Sequence, residues 1–198
     1  MSLTAALTAL AADAGKLILI AKERIAVPPG ELKNALYKLG KSNLGKVVAT
    51  YMRNLSHLPG LPHQLVQLSR ALHLPGMRRG LLGELSTALR LEKLGTTVFD
   101  IGRNVYLNGV KFTDIDVMTL NGSVIEVRDW ASKLSVGDLR NKVERLVTLR
   151  DSGVLVDGVL VERLYIYAPG GLSKGALKLC ESKGIKVLTS ASELAEVI

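Results

Sequence analysis

A chain of 198 residues with 47% hydrophobic content can bury one sizeable core or two small ones, and its apolar residues are aliphatic far more than aromatic, which excludes a disordered chain. A single cysteine, Cys180, excludes an internal disulfide and fits a reducing, cytoplasmic compartment, and His57, His63 and His73 have no zinc-site spacing. The net charge of +8 resides in residues 1–80, which hold 11 Lys/Arg against Asp13, Glu23 and Glu31, whereas residues 81–198 hold 15 of each sign; such asymmetry suits a polyanion, nucleic acid or an anionic membrane surface, as well as a plainly solvated basic face.

In chain order, residues 1–79 read as a basic, all-α region. A first helix is expected from about Leu3 to Ile25, stopped by Pro28-Pro29-Gly30. Its apolar stretch Leu3–Ile20 lacks a basic leader and is interrupted by Asp13 and Lys16, which favours a helix facing a core, a partner protein or a second copy over a membrane span. A second helix starts near Glu31 with Leu32, Leu36 and Leu39 on one face and continues, kinked at Gly40 or Gly45, to Leu55. Lys33, Lys38, Lys41, Lys46 and Arg53 decorate its other faces, and a short helix follows over His63–Leu74.

Residues 80–198 change character. A helix over Leu81–Leu94 ends at Gly95, and Glu84 falls in line with Leu81, Ala88 and Leu91 on or beside its apolar stripe. Strand-like segments follow at 97–101, 104–107, 110–120 and 123–130, with Asn108-Gly109 and Asn121-Gly122 as hairpin signals. Ser135 with Asp138 three residues later marks a helix start; Leu139, Val143, Leu146 and Val147 are expected inward, and Arg140, Lys142 and Arg145 outward. A strand at 160–168, a helix at 173–183 closed by Gly184, a strand at 185–188 and a terminal helix from Ser190 complete a mixed sheet with flanking helices.

Carboxylates on strands and on core-facing helix positions are costly unless a cation or hydrogen bonds compensate them. Asp116 and Glu126 flank the Asn121-Gly122 turn, so loop length decides whether they meet. A two-residue loop separates them onto opposite faces. The loop Asn121-Gly122-Ser123 pairs Leu120 with Val124 and Met118 with Glu126, which puts Asp116, Glu126 and Arg128 on one face. Two carboxylates with a backbone carbonyl then form a hard-oxygen site suited to Mg²⁺ or Mn²⁺.

Glu84 on a helix, Thr113-Asp114-Ile115-Asp116, Val124-Ile125-Glu126-Val127-Arg128 and the later strand–helix–strand order resemble the PD-(D/E)XK nuclease superfamily over about residues 80–198. The resemblance implies a restriction-endonuclease-like α/β fold and divalent-metal-dependent hydrolysis of phosphodiester bonds, DNA being the first expectation. It makes Asp116, Glu126 and the Val127 carbonyl the metal ligands, Glu84 the helix-borne acid, and Arg128 the stand-in for the family's lysine. Arginine keeps the charge but cannot act as a base, so Lys133 or Lys142 is the available substitute. Lys133, Arg140, Lys142 and Arg145, with Lys41, Lys46 and Arg53 from the basic region, are the expected nucleic-acid contacts. A toxin-type nuclease acting on DNA or RNA, and a catalytically silent nucleic-acid-binding or assembly module, are the alternatives.

Overall fold

The computed structural model describes residues 19–21, 26–107, 110–129, 132–153 and 155–197. Four helices come early: α1 (Pro29–Gly40), α2 (Gly45–Leu55), α3 (Leu61–Arg70) and α4 (Pro75–Lys93). Helices α1, α3 and α4 each carry proline in the first turn, where a missing N–H breaks no intrahelical bond. The expected kink is a complete break. Ser42 Oγ donates to the Leu39 carbonyl and accepts from Leu44 N–H, closing a turn between α1 and α2.

A six-stranded mixed sheet follows, built from β1 (Leu19–Ala21), β2 (Val98–Leu107), β3 (Val110–Thr119), β4 (Ser123–Val127), β7 (Arg163–Tyr167) and β8 (Ile185–Leu188), in the spatial order β1-β2-β3-β4-β7-β8. The junctions from β1 to β4 are antiparallel; β4–β7 and β7–β8 are parallel. Parallel neighbours need long crossovers, and α5 (Val136–Asp151) and α6 (Lys174–Ser182) supply them. Helix α5 starts with the expected capping box, Ser135 N–H donating to Asp138 Oδ2 at 2.7 Å.

Three expectations are corrected. Leu19–Ala21, placed in the first helix by its apolar character, is an edge strand paired antiparallel with Val105–Leu107; the unpaired edge of β2 offers backbone partners that local helix propensity does not outweigh. The rest of that expected helix lies outside the described residues, as does the Asn108-Gly109 turn. The strand expected at 160–168 starts at Arg163, because Leu155–Val156 (β5) and Val159–Leu160 (β6) form their own small hairpin around Asp157 and Gly158, both at positive φ. The terminal helix is a single 3₁₀ turn, Glu193–Glu196.

The sheet separates two apolar layers. On one face Leu39, Tyr51, Leu55, Leu65 and Leu85 from the early helices pack with Ile101, Val117 and Ile125. On the other, Leu139, Val143, Leu146 and Cys180 pack with Met118, Val124 and Ile166. Helix α4 runs unbroken through residue 80, where the charge distribution changes. Among the described residues, no helix is long and apolar enough to cross a membrane.

Candidate active site

The β3–β4 hairpin turns through Leu120-Asn121-Gly122, with Gly122 at φ +82°. Thr119 Oγ1 holds the turn by accepting Ser123 N–H at 3.1 Å and donating to Asn121. The Gly122 carbonyl accepts the N–H groups of Glu162 and Arg163, which ties the turn to β7, and a Cβ at Gly122 would lie 2.3 Å from the Leu160 carbonyl oxygen. These anchors displace the expected loop by two residues of register: Met118 pairs with Val124, rather than with Glu126, and Val117 with Ile125. A two-residue displacement leaves every side chain on its face. Asp116 and Glu126 therefore still reach one cleft, just beyond the last strand pair.

There β3 and β4 separate, and a side chain spans the gap: Asp116 Oδ2 accepts Val127 N–H at 2.8 Å. Glu126, 2% exposed, points into the same space. Arg128 Nη2 approaches Glu126 Oε1 at 2.7 Å, and Lys142 Nζ approaches Glu126 Oε2 at 2.8 Å. Lys142 also donates to Asp114 Oδ1 at 2.6 Å and to the Asp114 carbonyl at 2.9 Å. From the opposite layer α4 delivers Glu84, whose Oε2 accepts from Gln64 Nε2 at 2.8 Å. Gly83 lets α4 come this close, since a Cβ there would meet Asp129 Cβ at 3.0 Å and Val127 Cγ1 at 3.3 Å. Glu84, Asp116, Glu126, Arg128 and Lys142 all line one cleft of about 430 Å³.

The acids are under electrostatic stress. Burial, then the charges of Asp116, Glu126 and Asp114, push the Glu84 carboxyl up to about 9. Burial and Asp116 push Glu126 up to about 8, against the opposing pull of Lys142 and Arg128. Burial also raises Asp116, with Lys142 and the Val127 N–H resisting. Asp114 goes the other way: burial opposes ionisation, but the Lys142 ammonium beside it holds its carboxyl below the usual range. Lys142, despite its own burial, is held well above the ordinary lysine range by Glu126, Asp116 and Asp114, and stays protonated.

Two cations thus leave Glu84, Asp116 and Glu126 only partly compensated. Glu126 Oε2 has the Lys142 charge nearby but no aligned hydrogen bond. Among the described residues no three His, Cys, Asp or Glu side chains stand together as a preformed metal cluster; the Lys142 ammonium fills the space between Asp114 and Glu126. Asp116, Glu126 and the Val127 carbonyl remain a hard-oxygen donor set whose uncompensated charge fits a divalent cation.

Lys142, expected outward on α5, is turned inward with its side chain only 10% exposed, because three carboxylates attract it and it lies between Leu139 and Leu146 on the apolar stripe. Arg145 lines the cleft, whereas Lys133 and Arg140 are exposed and do not. Lys41, Lys46 and Arg53 are exposed at the end of α1 and along α2, and Lys41 Nζ stands 4.3 Å from the centre of the Tyr37 ring. Sequence reasoning missed Gln64. Its amide lies over Gly102 (φ +56°), where a Cβ would come within 1.9 Å of Nε2, and its buried Oε1 has no partner. The available signal was a polar residue on the stripe Leu61, Leu65, Leu68.

No protein-family model matches this chain, and no curated protein does. Several solved structures are similar, two of which follow. Can2 from Sulfobacillus thermosulfidooxidans, in complex with cyclic tetra-adenylate, has a TM-score of 0.47 and 14% identity over 90% of this chain and 56% of its own. Protein VC1899 from Vibrio cholerae has a TM-score of 0.42 and 19% identity over 91% of this chain and 56% of its own. This chain spans little more than half the length of either.

Proposed function

We propose that this chain is a divalent-metal-dependent nuclease of the PD-(D/E)XK type, hydrolysing phosphodiester bonds, with DNA as its first substrate. One observation carries the reading: Glu84, Asp116 and Glu126, from a helix and two strands, converge on a single cleft beside two protein cations. Asp116, Glu126 and the Val127 carbonyl would hold Mg²⁺ or Mn²⁺, with Glu84 behind them. Such an ion supplies Lewis acidity and concentrated positive charge at a phosphodiester.

The protein's own groups do the positioning. The Val127 N–H fixes one Asp116 oxygen and leaves the other toward the cleft. Gln64 orients Glu84 from outside. Lys142 takes over the charge that the family's strand lysine supplies: held protonated by Glu126, Asp116 and Asp114 beside it, it donates to a phosphate or attacking oxygen. Arg128 braces Glu126 and offers its outer edge to phosphate. Lys41, Lys46 and Arg53 add a longer-range grip on the polyanion.

A second reading has its own observation. Arg128 and Lys142 each approach one oxygen of Glu126, as they would in a silent nucleic-acid-binding module. Plasmid, branched DNA and tRNA incubated with and without Mg²⁺ or Mn²⁺, wild type against Glu126→Ala, separate the two. Metal-dependent cleavage lost in Glu126→Ala is the expected result. Salt-sensitive binding without cleavage of any substrate would establish the silent module instead.

A further inference from the structure

The acid cleft does not end at the acids. Asn141 and Arg145 of α5 line it and also line a second depression of about 380 Å³, completed by Phe112, Glu144 and Thr148. The two hollows form one track along the seam between β3 and α5. Phe112 is half-buried, its body packed against the core, and the Arg145 guanidinium carbon stands 6.0 Å from its ring centre. An aromatic face with an arginine above it, next to an amide and a hydroxyl, is the chemistry that takes an unpaired base and its phosphate.

The spacing along the seam is informative. Helix α5 and strand β3 run in opposite senses here, Lys142 meeting Asp114 and Arg145 meeting Phe112. Phe112 precedes Asp116 by four residues, about 13 Å of strand. A nucleotide repeat has six backbone bonds, the same as two amino-acid residues, so the extended pitches are similar. Phe112 accordingly lies two nucleotide steps from a phosphate held at Asp116 and Glu126. A duplex cannot present a base face there, because its bases are stacked on each other.

We propose that the Phe112–Arg145 depression is a base-stacking subsite for single-stranded nucleic acid, two nucleotides from the scissile phosphate. The base takes the place of the Arg145 guanidinium on the exposed face of Phe112, Arg145 swings from the ring to the intervening phosphate, and the Glu144 carboxylate at the lip keeps the backbone on the Arg145 side. The subsite gives the chain a preference for unpaired or flapped strands. It rests on the nuclease reading only for which phosphate is cut.

The test is equilibrium binding of the full chain in EDTA, by fluorescence anisotropy, to labelled single-stranded DNA, single-stranded RNA and duplex DNA. Phe112→Leu keeps the apolar body but removes the flat ring, and Phe112→Tyr restores it. Phe112→Leu should weaken single-strand binding on the order of 5- to 100-fold and duplex binding less than 2-fold, with Phe112→Tyr close to wild type. The DNA and RNA arms report which sugar is preferred. For any strand that is cut, one abasic site moved along the sequence should mimic Phe112→Leu only at the second nucleotide from the cut, with no added loss in the variant. Equal binding by Phe112→Leu and wild type, or equal losses on single strand and duplex, would overturn the subsite, even if metal-dependent cleavage persists. Single-strand binding that responds to Phe112→Leu with no cleavage under any metal supports the subsite and overturns the nuclease.

Discussion

Replacing Glu126 with glutamine should make the metal-free protein more stable at high pH and not at low pH. In the folded chain the Glu126 carboxyl is pushed up to about 8 from its ordinary 4.5, first by burial and then by Asp116. A raised acid pKa means that the folded state holds a proton the unfolded state releases. The stability that proton confers is present below pH 4.5 and is lost as pH rises through about 8. At 1.36 kcal/mol per pH unit, the wild type loses about 5 kcal/mol on this account between those limits. Glutamine titrates nothing, but its NH2 cannot accept from a cation, so one of Lys142 and Arg128 loses an acceptor oxygen at every pH, at a cost of about 1.5–3 kcal/mol. The variant should therefore be less stable than wild type near pH 5 and more stable by about 2–3 kcal/mol at pH 9. Urea denaturation followed by far-UV circular dichroism in EDTA, at pH 5 to 9, measures this directly. A wild-type-minus-variant difference that stays constant across that range would refute the electrostatic account of the cleft. Added Mn²⁺ should reverse the order at pH 8, because only the wild type gains a ligand for it.

Three further outcomes are expected. Gly102→Ala should destabilise the fold by about 2–4 kcal/mol, since the new Cβ meets Gln64 Nε2 at 1.9 Å on a positive-φ backbone; adding Gln64→Ala should recover part of the loss in the same urea assay. Lys142→Ala should lower the cleavage rate about 100-fold and Arg128→Ala only about 10-fold, because the lysine is the more enclosed charge; equal losses in single-turnover rates would contradict that ranking. Neutralising Lys41, Lys46 and Arg53 together as glutamines should flatten the log–log salt dependence of DNA binding by about 2–3 units, with melting temperature unchanged.

The order of helices and strands along residues 80–198, and with it a mixed sheet flanked by helices, was legible because turn residues and hydrophobic period changed together there; the spatial order of the strands was not. The face shared by Asp116 and Glu126 was legible for a similar reason: loop parity, not exact register, decides it. The register itself depended on Thr119 and on the grip of Gly122 by β7, a contact from a strand forty residues later that no local pattern encodes. Leu19–Ala21 failed likewise, since an edge strand is defined by the edge it joins. The cations and supports of the site were only half hidden. Gln64, Glu84 and Lys142 are each a polar residue standing on a helix's apolar stripe, flanked by Leu61 and Leu65, by Leu81 and Leu85, and by Leu139 and Val143. Glu84 was read that way; the same rule applied to the other two would have placed all three inside. Asp114 offered no such signal, because its role follows from where Lys142 goes.

The separation of β3 and β4 beyond Val117 and Ile125 has a spectroscopic consequence. The backbone amide of Val127 is bonded across this gap to the Asp116 carboxylate, where the sheet ladder would otherwise offer it a carbonyl. A hydrogen bond to a charged acceptor is shorter and more strongly polarised than one to a neutral carbonyl, so the nitrogen and proton shifts of this amide follow the charge on Asp116. The chain thus carries a native reporter at the centre of its cleft. A single cross-peak in a ¹⁵N-labelled sample registers proton, metal or phosphate arriving at Asp116, with no label attached and no residue changed.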